Sequence, residues 1–207
     1  MNAITTWVAA QWMPHLILAP IVLPLLTAAL MLLLREERQR TKILLNVGST
    51  LLGLVIAILL LSQAKQPGMP GTLGIYLPGN WPAPFGIVLA LDRLSAMMLV
   101  LCSTVALAAA LYASARWHRA GVHFHPLFQF QLMGLAGAFL TADLFNLFVF
   151  FEIMLAASYG LLLHGSGRPR VAAGLHYSAI NLAASSLFLI GVSMLYGITG
   201  TLNMADL

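Results

Sequence analysis

Residues 144–164, LFNLFVFFEIMLAASYGLLLH, form the most informative stretch of this chain. It is long and apolar enough to cross a bilayer as a helix, because about 20 residues span a hydrocarbon core of about 30 Å. Glu152 lies near its middle. A carboxylate at that depth costs about 2.5–3.5 kcal/mol on insertion scales, and such acids usually mark a proton or ion pathway. The alternative is a structural carboxyl that stays protonated and hydrogen-bonds a neighbouring helix.

The composition of the whole chain also indicates an integral membrane protein. Of its 207 residues, 60% are hydrophobic and only 8% are charged, and its mean hydropathy is +0.92. A soluble domain carries about 25% charged residues. The formal charge of +4 is accounted for by the basic loops of membrane proteins and does not indicate nucleic acid. No basic residue precedes the first apolar run, which predicts a retained helix and no cleavable signal peptide.

Six apolar segments are predicted to span the membrane and to form a single all-α, polytopic bundle over residues 1–207, without a soluble domain. The predicted helices are 16–34, 43–61, 91–112, 124–141, 144–163 and 171–196. The connection 62–90 is rich in Pro and Gly, which excludes a helix there. Its Trp and Tyr residues are typical of the membrane interface, and short strands are a second possibility.

The basic residues predict the topology. Eight of the ten Lys and Arg residues follow the first, third and fifth helices, in the connections 35–42, 113–123 and 165–170. Because basic loops mark the cytoplasm, the N-terminus and the connection 62–90 are predicted to lie outside a bacterial inner membrane.

Polar side chains on the fifth and sixth helices are candidates for the rest of a proton pathway. Tyr159 follows Glu152 by seven residues and therefore shares its helix face. His176 is the candidate titratable partner, and its alternative role is to hydrogen-bond a backbone carbonyl or a serine. A third group on the sixth helix shares one face, with the spacing i, i+3, i+7: Ser178, Asn181 and Ser185. These residues either line a water-filled path or hold neighbouring helices together.

Polar residues near the helix ends have simpler interpretations. His164 is either the intracellular mouth of the path or a solvated interfacial histidine. Three residues fit helix caps or turns: Asp92, Asp143 and Asn146. Asp143 and Asn146 could instead guard the outer entrance of the path.

The sequence predicts no metal site and no cofactor. Three histidines share one connection without a cysteine or carboxylate and match no ligand motif: His118, His123 and His125. Motifs for phosphate binding, nucleophilic catalysis, haem attachment and zinc hydrolysis are absent from the sequence. The single cysteine, Cys102, cannot form an internal disulfide. The chain is therefore not expected to be an enzyme.

Three segments resemble a known family. TADLFNLFVFFEIMLAASYGLLLHG, 141–165, resembles the fourth-to-fifth helix region of antiporter-like membrane subunits. AGLHYSAINLAASSLFLIGVSMLYGITGTLNMADL, 173–207, resembles the sixth helix and following turn of the MrpD subunit (also called MnhD or PhaD) of the Mrp-type multi-subunit cation/proton antiporters. NWPAPFGIVLALDRLSAMMLV, 80–100, resembles the same family's entry into helix three. Proton-pumping subunits of respiratory complex I are related to this family and share the intramembrane glutamate.

The resemblance implies a subunit that exchanges Na⁺ or K⁺ for external H⁺ within a hetero-oligomeric complex, for pH and cation homeostasis. Glu152 matches the family's key acid, and His176 stands where many relatives carry lysine. The family's subunit is more than twice as long, and its helix-seven lysine would lie beyond residue 207, so the chain is expected to be the first part of such a subunit. Two alternatives remain: a proton-translocating subunit of a complex I-like NADH:quinone oxidoreductase or hydrogenase, and a non-transporting scaffold fragment.

Overall fold

The computed structural model describes residues 15–64, 72–81 and 86–207. Six helices and two short strands follow one another along these residues. They are α1 (Ala19–Leu33), α2 (Gln39–Gln63), β1 (Thr72–Tyr76), β2 (Leu89–Asp92), α3 (Arg93–Ala115), α4 (Phe124–Leu140), α5 (Leu144–Leu162) and α6 (Arg168–Thr199). The predicted fold class, a polytopic bundle of membrane helices, is confirmed.

Four of these helices are long and apolar enough to cross a membrane, judged by length and composition among the described residues. They are α2, α3, α5 and α6, with 25, 23, 19 and 32 residues. With 15 and 17 residues, α1 and α4 extend over only about 23 and 26 Å. These two helices therefore fall slightly short of a hydrocarbon core of about 30 Å.

The three basic connections meet at one end of the bundle, which we call the basic end. The guanidinium of Arg170 lies 5.2 Å from the centre of the Trp117 ring and donates to the backbone carbonyl of His164. The Asn46 side chain, near the start of α2, bonds the ring of His125 at 3.0 Å. Successive spanning helices run in opposite directions, so the connections after the first, third and fifth helices must lie at the same end of the bundle. These contacts are consistent with this arrangement.

The opposite end of the bundle carries an antiparallel hairpin of β1 and β2. The backbone N–H of Ala142 donates to the carbonyl of Val88, and that of Met204 donates to the carbonyl of Ala142, both at 2.9 Å. The hairpin, the α4–α5 turn and the segment after α6 are thereby joined. Because Leu89–Asp92 is extended as β2, α3 begins at Arg93.

Part of the sequence falls outside the described residues. This part contains Lys65 and most of the prolines in the connection 62–90, in 65–71 and 82–85, and also the N-terminal segment 1–14 on which the prediction of a retained first helix rests.

Glycines allow α4 and α5 to pack closely. A Cβ atom added at Gly134 would lie 2.9 Å from the backbone nitrogen of Met154, and one at Gly137 would overlap the Phe150 ring. On α5, a Cβ at Gly160 would lie 2.8 Å from Leu127. Small residues at such crossings let membrane helices approach backbone to backbone, so these three glycines fix the separation of α4 and α5.

We predict that Gly134→Ala destabilises the bundle by about 1–3 kcal/mol, because the new methyl group meets backbone atoms that cannot rotate away. The measurement is reversible unfolding of the purified protein in mixed micelles. Gly191→Ala on α6 is the matched control, since its Cβ would meet nothing within 4 Å, and it should be neutral or gain up to about 1 kcal/mol. Equal stability of the two variants would contradict the close α4–α5 contact.

Candidate functional site

Glu152 lies on the face of α5 that packs against α6. Phe148, one turn earlier, stacks on Phe188 with ring centres 6.3 Å apart. Tyr159, two turns later, meets Tyr177 edge-on at 5.7 Å. Residues at i, i+4 and i+11 share a helix face, so the carboxyl lies between these two aromatic contacts. Its Oε1 atom is buried and has no hydrogen-bond partner among the described residues.

A groove of about 450 Å³ runs between α5 and α6 on this side. The two aromatic pairs set an antiparallel register that places Glu152 level with Ala184, a small residue of the groove wall. Asn181 and Ser185 also line the groove, within one turn of that level. Both donate to carbonyls of their own helix, at 2.8 Å and 3.2 Å. Their oxygen atoms keep lone pairs that can accept from water or hold a cation.

The described structure does not bring His176 to Glu152. His176 is exposed and lies eight residues before Ala184, about 12 Å along the helix axis at 1.5 Å per residue. Ser178 is half-buried, as are Asn181 and Ser185, so the predicted polar stripe lies on the partly covered side of α6. The stripe is therefore nearer to the acid than the histidine is.

His164 is not solvated, contrary to one of the two interpretations of the sequence. Its ring is buried and lies 5.7 Å from the Trp117 ring and 5.3 Å from the Phe124 ring. Its Nε2 is 3.1 Å from the Trp117 carbonyl oxygen. Gly121 allows this burial because it has no Cβ atom, and a Cβ at that position would lie 2.8 Å from the His164 imidazole. His164 thus joins the end of α5 to the α3–α4 connection.

Two of the three acid and amide residues near helix starts, Asp92 and Asp143, act as N-caps. Asp92 Oδ1 accepts from the Ser95 N–H at 2.6 Å, and Asp143 Oδ1 accepts from the Asn146 N–H at 2.8 Å. The Asn146 side chain donates to Thr141 Oγ1 at 2.9 Å. Asp143 is buried and pairs through its backbone with Asn203 after α6. These bonds anchor the starts of α3 and α5 at the hairpin end.

The sequence analysis missed a buried polar cluster between α1, α2 and α4, which we call the α2–α4 cluster. It consists of Thr27, Lys42, Asn46, Ser49, Thr50, His125 and Gln129. The prediction that Lys42 lies in the connection 35–42 is wrong, because α2 begins at Gln39 and carries Lys42 in its first turn, 2% exposed. The spacing of polar residues four apart, at Lys42 and Asn46 and again at His125 and Gln129, is the signal that could have found it.

No group of three potential metal ligands occurs among the described residues. His123 is exposed, whereas His125 is buried in α4, so these two rings do not converge. The side chain of His118 lies outside the described residues.

The fold and the sequence resemble those of antiporter-like membrane subunits. Residues 141–207 match the family described as NADH:quinone oxidoreductase/Mrp antiporter, TM. With the described helices, this match indicates a multi-pass membrane protein.

Two curated relatives of the MrpD/MnhD type are also similar to this chain. The chain is 61% identical over 199 residues to such a subunit of a probable K⁺/H⁺ antiporter from Rhizobium meliloti, covering 95% of this chain and 37% of the relative. It is 40% identical to the corresponding Na⁺/H⁺ antiporter subunit of Alkalihalophilus pseudofirmus, covering 94% of this chain and 39% of the relative.

A solved structure of the Mrp complex from a Dietzia species superposes with a TM-score of 0.84 at 33% identity, over 93% of this chain and 36% of that one. The resemblance to the MrpD subunit of the Mrp-type antiporters, in its N-terminal part, is confirmed. The chain spans 37–39% of the length of the two curated relatives.

We predict that Asp143→Ala costs about 1 kcal/mol of stability, because the first N–H groups of α5 lose their cap. The Asp143→Asn variant keeps an accepting oxygen and should retain most of the stability. Thermal unfolding of the purified protein measures both. Asp206→Ala, which removes an exposed acid at the same end, is the control, and a loss there equal to that of Asp143→Ala would argue against the cap.

Proposed function

We propose that the chain is the N-terminal part of a membrane subunit of a monovalent cation/proton antiporter complex, with Glu152 as its proton-binding group. The observation that carries the proposal is a buried carboxyl oxygen of Glu152 without a hydrogen-bond partner among the described residues. It belongs to the helix pair whose groove is lined by Asn181 and Ser185. The relatives support it, since one is named as a subunit of a K⁺/H⁺ antiporter and the other as a subunit of a Na⁺/H⁺ antiporter.

Glu152 binds and releases the proton because two opposing effects act on its carboxyl. Transfer out of water penalises the ionised form, and a nearby cation favours it. Insertion of a charged group costs about 2.5–3.5 kcal/mol, while the membrane potential supplies about 2.3 kcal/mol per charge per 100 mV. These energies are similar, so the proton-motive force can decide whether the site is loaded.

The other predicted residues extend the path on either side of the acid. Asn181 and Ser185, with Ser178 further along, bind water in the groove next to Glu152. Tyr159 carries the polar stripe toward the basic end, where His164 marks the intracellular mouth. His176, on the exposed side of α6, passes charge sideways to a neighbouring helix. Asp143 and Asn146 hold the start of α5 near the outer entrance.

The comparison with the relatives also supports a proposal about the complex in which this chain assembles. The relatives named as antiporter subunits indicate a hetero-oligomeric complex, and the largely exposed α6 offers a surface for further helices. The basic end, with Arg116, Arg168 and Arg170, faces the cytoplasm of a bacterial inner membrane, and the hairpin end faces outward.

The test is a transport assay in everted vesicles that lack native antiporters, with the complete subunit restored within its complex. Glu152→Gln keeps the shape of the side chain and removes its titration, so cation-dependent collapse of the pH gradient should fall at least about tenfold. Glu37→Gln, at an exposed acid before α2, is the control and should leave the rate unchanged. Full activity of an assembled Glu152→Gln complex would remove the carboxyl from the mechanism.

A second variant tests the sideways path. His176→Leu removes a titratable ring and should lower the transport rate several-fold while the complex still assembles. His123→Leu, at an exposed histidine of the basic end, is the matched control. Wild-type transport by His176→Leu would favour a structural role for α6, as expected of a scaffold fragment.

The competing function is a redox-linked proton pump, because the matched family description also includes NADH:quinone oxidoreductase. Purification of the native complex distinguishes the two. Flavin or iron–sulfur subunits that remain bound to the complex through purification would favour the pump, and a complex without them would favour the antiporter.

A further inference from the structure

A hollow of about 580 Å³ opens at the basic end of the bundle, where α3 ends. Tyr112, Ala115 and Arg116 line it from the end of α3, and Trp117 and Ala120 line it from the connection to α4. Its volume lies within the range of about 300–1,000 Å³ that is usual for small-molecule sites. The walls thus combine one guanidinium and two large aromatic side chains around a space of ligand size.

The chain is strongly positive around this hollow. The connections 113–123 and 165–170, which the Arg170–Trp117 contact brings together, carry four arginines and no acidic residue. In the third basic stretch, 35–42, two glutamates offset part of the positive charge. Positive potential without a neighbouring acid attracts anions, and arginine binds phosphate oxygens through a planar fork of N–H donors. The hollow therefore fits an anionic ligand better than a neutral or cationic one.

Trp117 is held in place by its contacts with the connection 165–170 and the end of α5. The guanidinium of Arg170 lies over its ring, 5.2 Å from the ring centre, and donates to the His164 carbonyl. The His164 ring is 5.7 Å from the Trp117 ring, and its Nε2 is 3.1 Å from the Trp117 carbonyl oxygen. A wall that is fixed before the ligand arrives loses little side-chain freedom on binding. Arg170 also places a second positive charge beside the ring that lines the hollow.

An apolar face of α3, which we call the exposed α3 face, leads along the bundle to the hollow. Four large apolar residues on it lie at intervals of three or four positions, and each is more than half exposed: Leu94, Met97, Leu101 and Val105. Tyr112 follows Val105 by seven positions and continues the same face to the hollow. Because α3 is long and apolar enough to cross a membrane, its end lies at the depth of the lipid head groups. The exposed α3 face is suited to acyl chains.

The aromatic walls of the hollow favour a lipid over a soluble anion. Tyr and Trp concentrate at the membrane interface, because one end of each side chain is apolar and the other is polar. The Tyr112 hydroxyl and the Trp117 indole N–H can each donate to a phosphate oxygen, while their rings pack beside the first carbons of an acyl chain. A free phosphate ion gains nothing from the exposed α3 face. An anionic phospholipid uses both the charge and the apolar surface.

We propose that this hollow binds one anionic phospholipid of the leaflet at the basic end, with Arg116 as the residue that binds its phosphate. Tyr112 and Trp117 contact the glycerol region, and the acyl chains lie along the exposed α3 face. Arg170 is a positioning residue, because it holds the Trp117 ring and raises the local positive potential. Neither Glu152 nor the direction of transport enters this inference, so it is independent of the proposed function.

A lipid bound in this way differs from the general lipid shell in two measurable properties. It is selected by its head group, because a zwitterionic head group carries no net negative charge for the arginines to attract. Its binding also weakens with salt, because the attraction between exposed charges is screened over about 10 Å at 0.1 M ionic strength. Tyr and Trp residues that only anchor a helix at the interface confer neither property.

The first experiment counts the lipids on the intact complex that contains this chain, by native mass spectrometry during titration with phosphatidylglycerol. The wild type should retain one phosphatidylglycerol that Arg116→Gln binds at least about fivefold more weakly, the usual contribution of one arginine at an anionic membrane surface. Arg116→Lys keeps the charge without the fork of donors and should fall between the two. Arg40→Gln, at an exposed arginine in the first turn of α2, is the matched control and should behave as the wild type.

Two further ligands identify the source of the phosphate. Phosphatidylcholine with the same acyl chains has no net charge and should not replace phosphatidylglycerol in the hollow. Inorganic phosphate, added in large excess at constant ionic strength, should not displace the lipid either. Equal retention of the two lipids would reduce the hollow to part of the general lipid shell, and displacement by inorganic phosphate would make it a site for a soluble anion. Each of these results overturns the proposal.

The second experiment tests the role of Arg170 and the alternative of a protein partner. Arg170→Gln should weaken the binding of phosphatidylglycerol several-fold and reduce its dependence on salt, whereas Arg170→Lys keeps the charge and should retain that dependence. Unchanged affinity in both Arg116→Gln and Arg170→Gln overturns the site.

The same spectra show whether a protein covers the hollow instead. Loss of an acidic neighbouring subunit from the Arg116→Gln complex would assign the hollow to that subunit and overturn the lipid. Retention of every subunit together with weaker binding of phosphatidylglycerol supports the lipid. Transport is not measured in either experiment, so a failure of the antiporter proposal leaves these results unaffected.

Discussion

The cost of removing polar groups from water in a hydrocarbon environment is the constraint on which this structure depends. Helices satisfy their own backbone groups, so the polar side chains determine which faces must be covered. Glu152 is turned toward α6, and Asn46 and Gln129 are enclosed between α1, α2 and α4. The segments that are not helical, the hairpin and the stretch after α6, lie together at one end, where the backbone N–H groups of Ala142 and Met204 bind neighbouring carbonyls.

The α4–α5 pair connects these two polar regions while keeping them apart. Helix α4 turns His125 and Gln129 toward α2 and presents Gly134 and Gly137 to α5. Helix α5 then directs its opposite face, with Glu152, toward α6. The glycine contacts set the distance between α4 and α5. The spacing of the two polar regions therefore depends on the close packing of this pair.

The features that can be predicted from the sequence are those that depend on a single helix. Hydropathy predicts the helices, and the seven-residue spacing of Glu152 and Tyr159 predicts their common face. The spacing of Lys42 and Asn46 indicates a polar face on α2, but it does not show what covers that face, and counting basic residues treats every lysine beside a helix as part of a loop. The cluster that contains Lys42 is completed by His125, 83 positions later in the chain, and only packing shows that α2 and α4 meet there. Likewise, the burial of His164 depends on Gly121 and Trp117, which no local pattern connects to it.

The surroundings of Glu152 bear directly on the proposed function. Its Oε1 is buried without a hydrogen-bond partner among the described residues, and His176 lies about 12 Å further along α6. Burying a polar atom without a hydrogen-bond partner is costly, so this oxygen is the atom of α5 that most needs a partner. Under the proposed function, coupling requires only that a cation and a proton compete for this one carboxyl. Asn181 and Ser185, which line the adjoining α5–α6 groove, carry oxygen atoms that can accept from water or hold a cation.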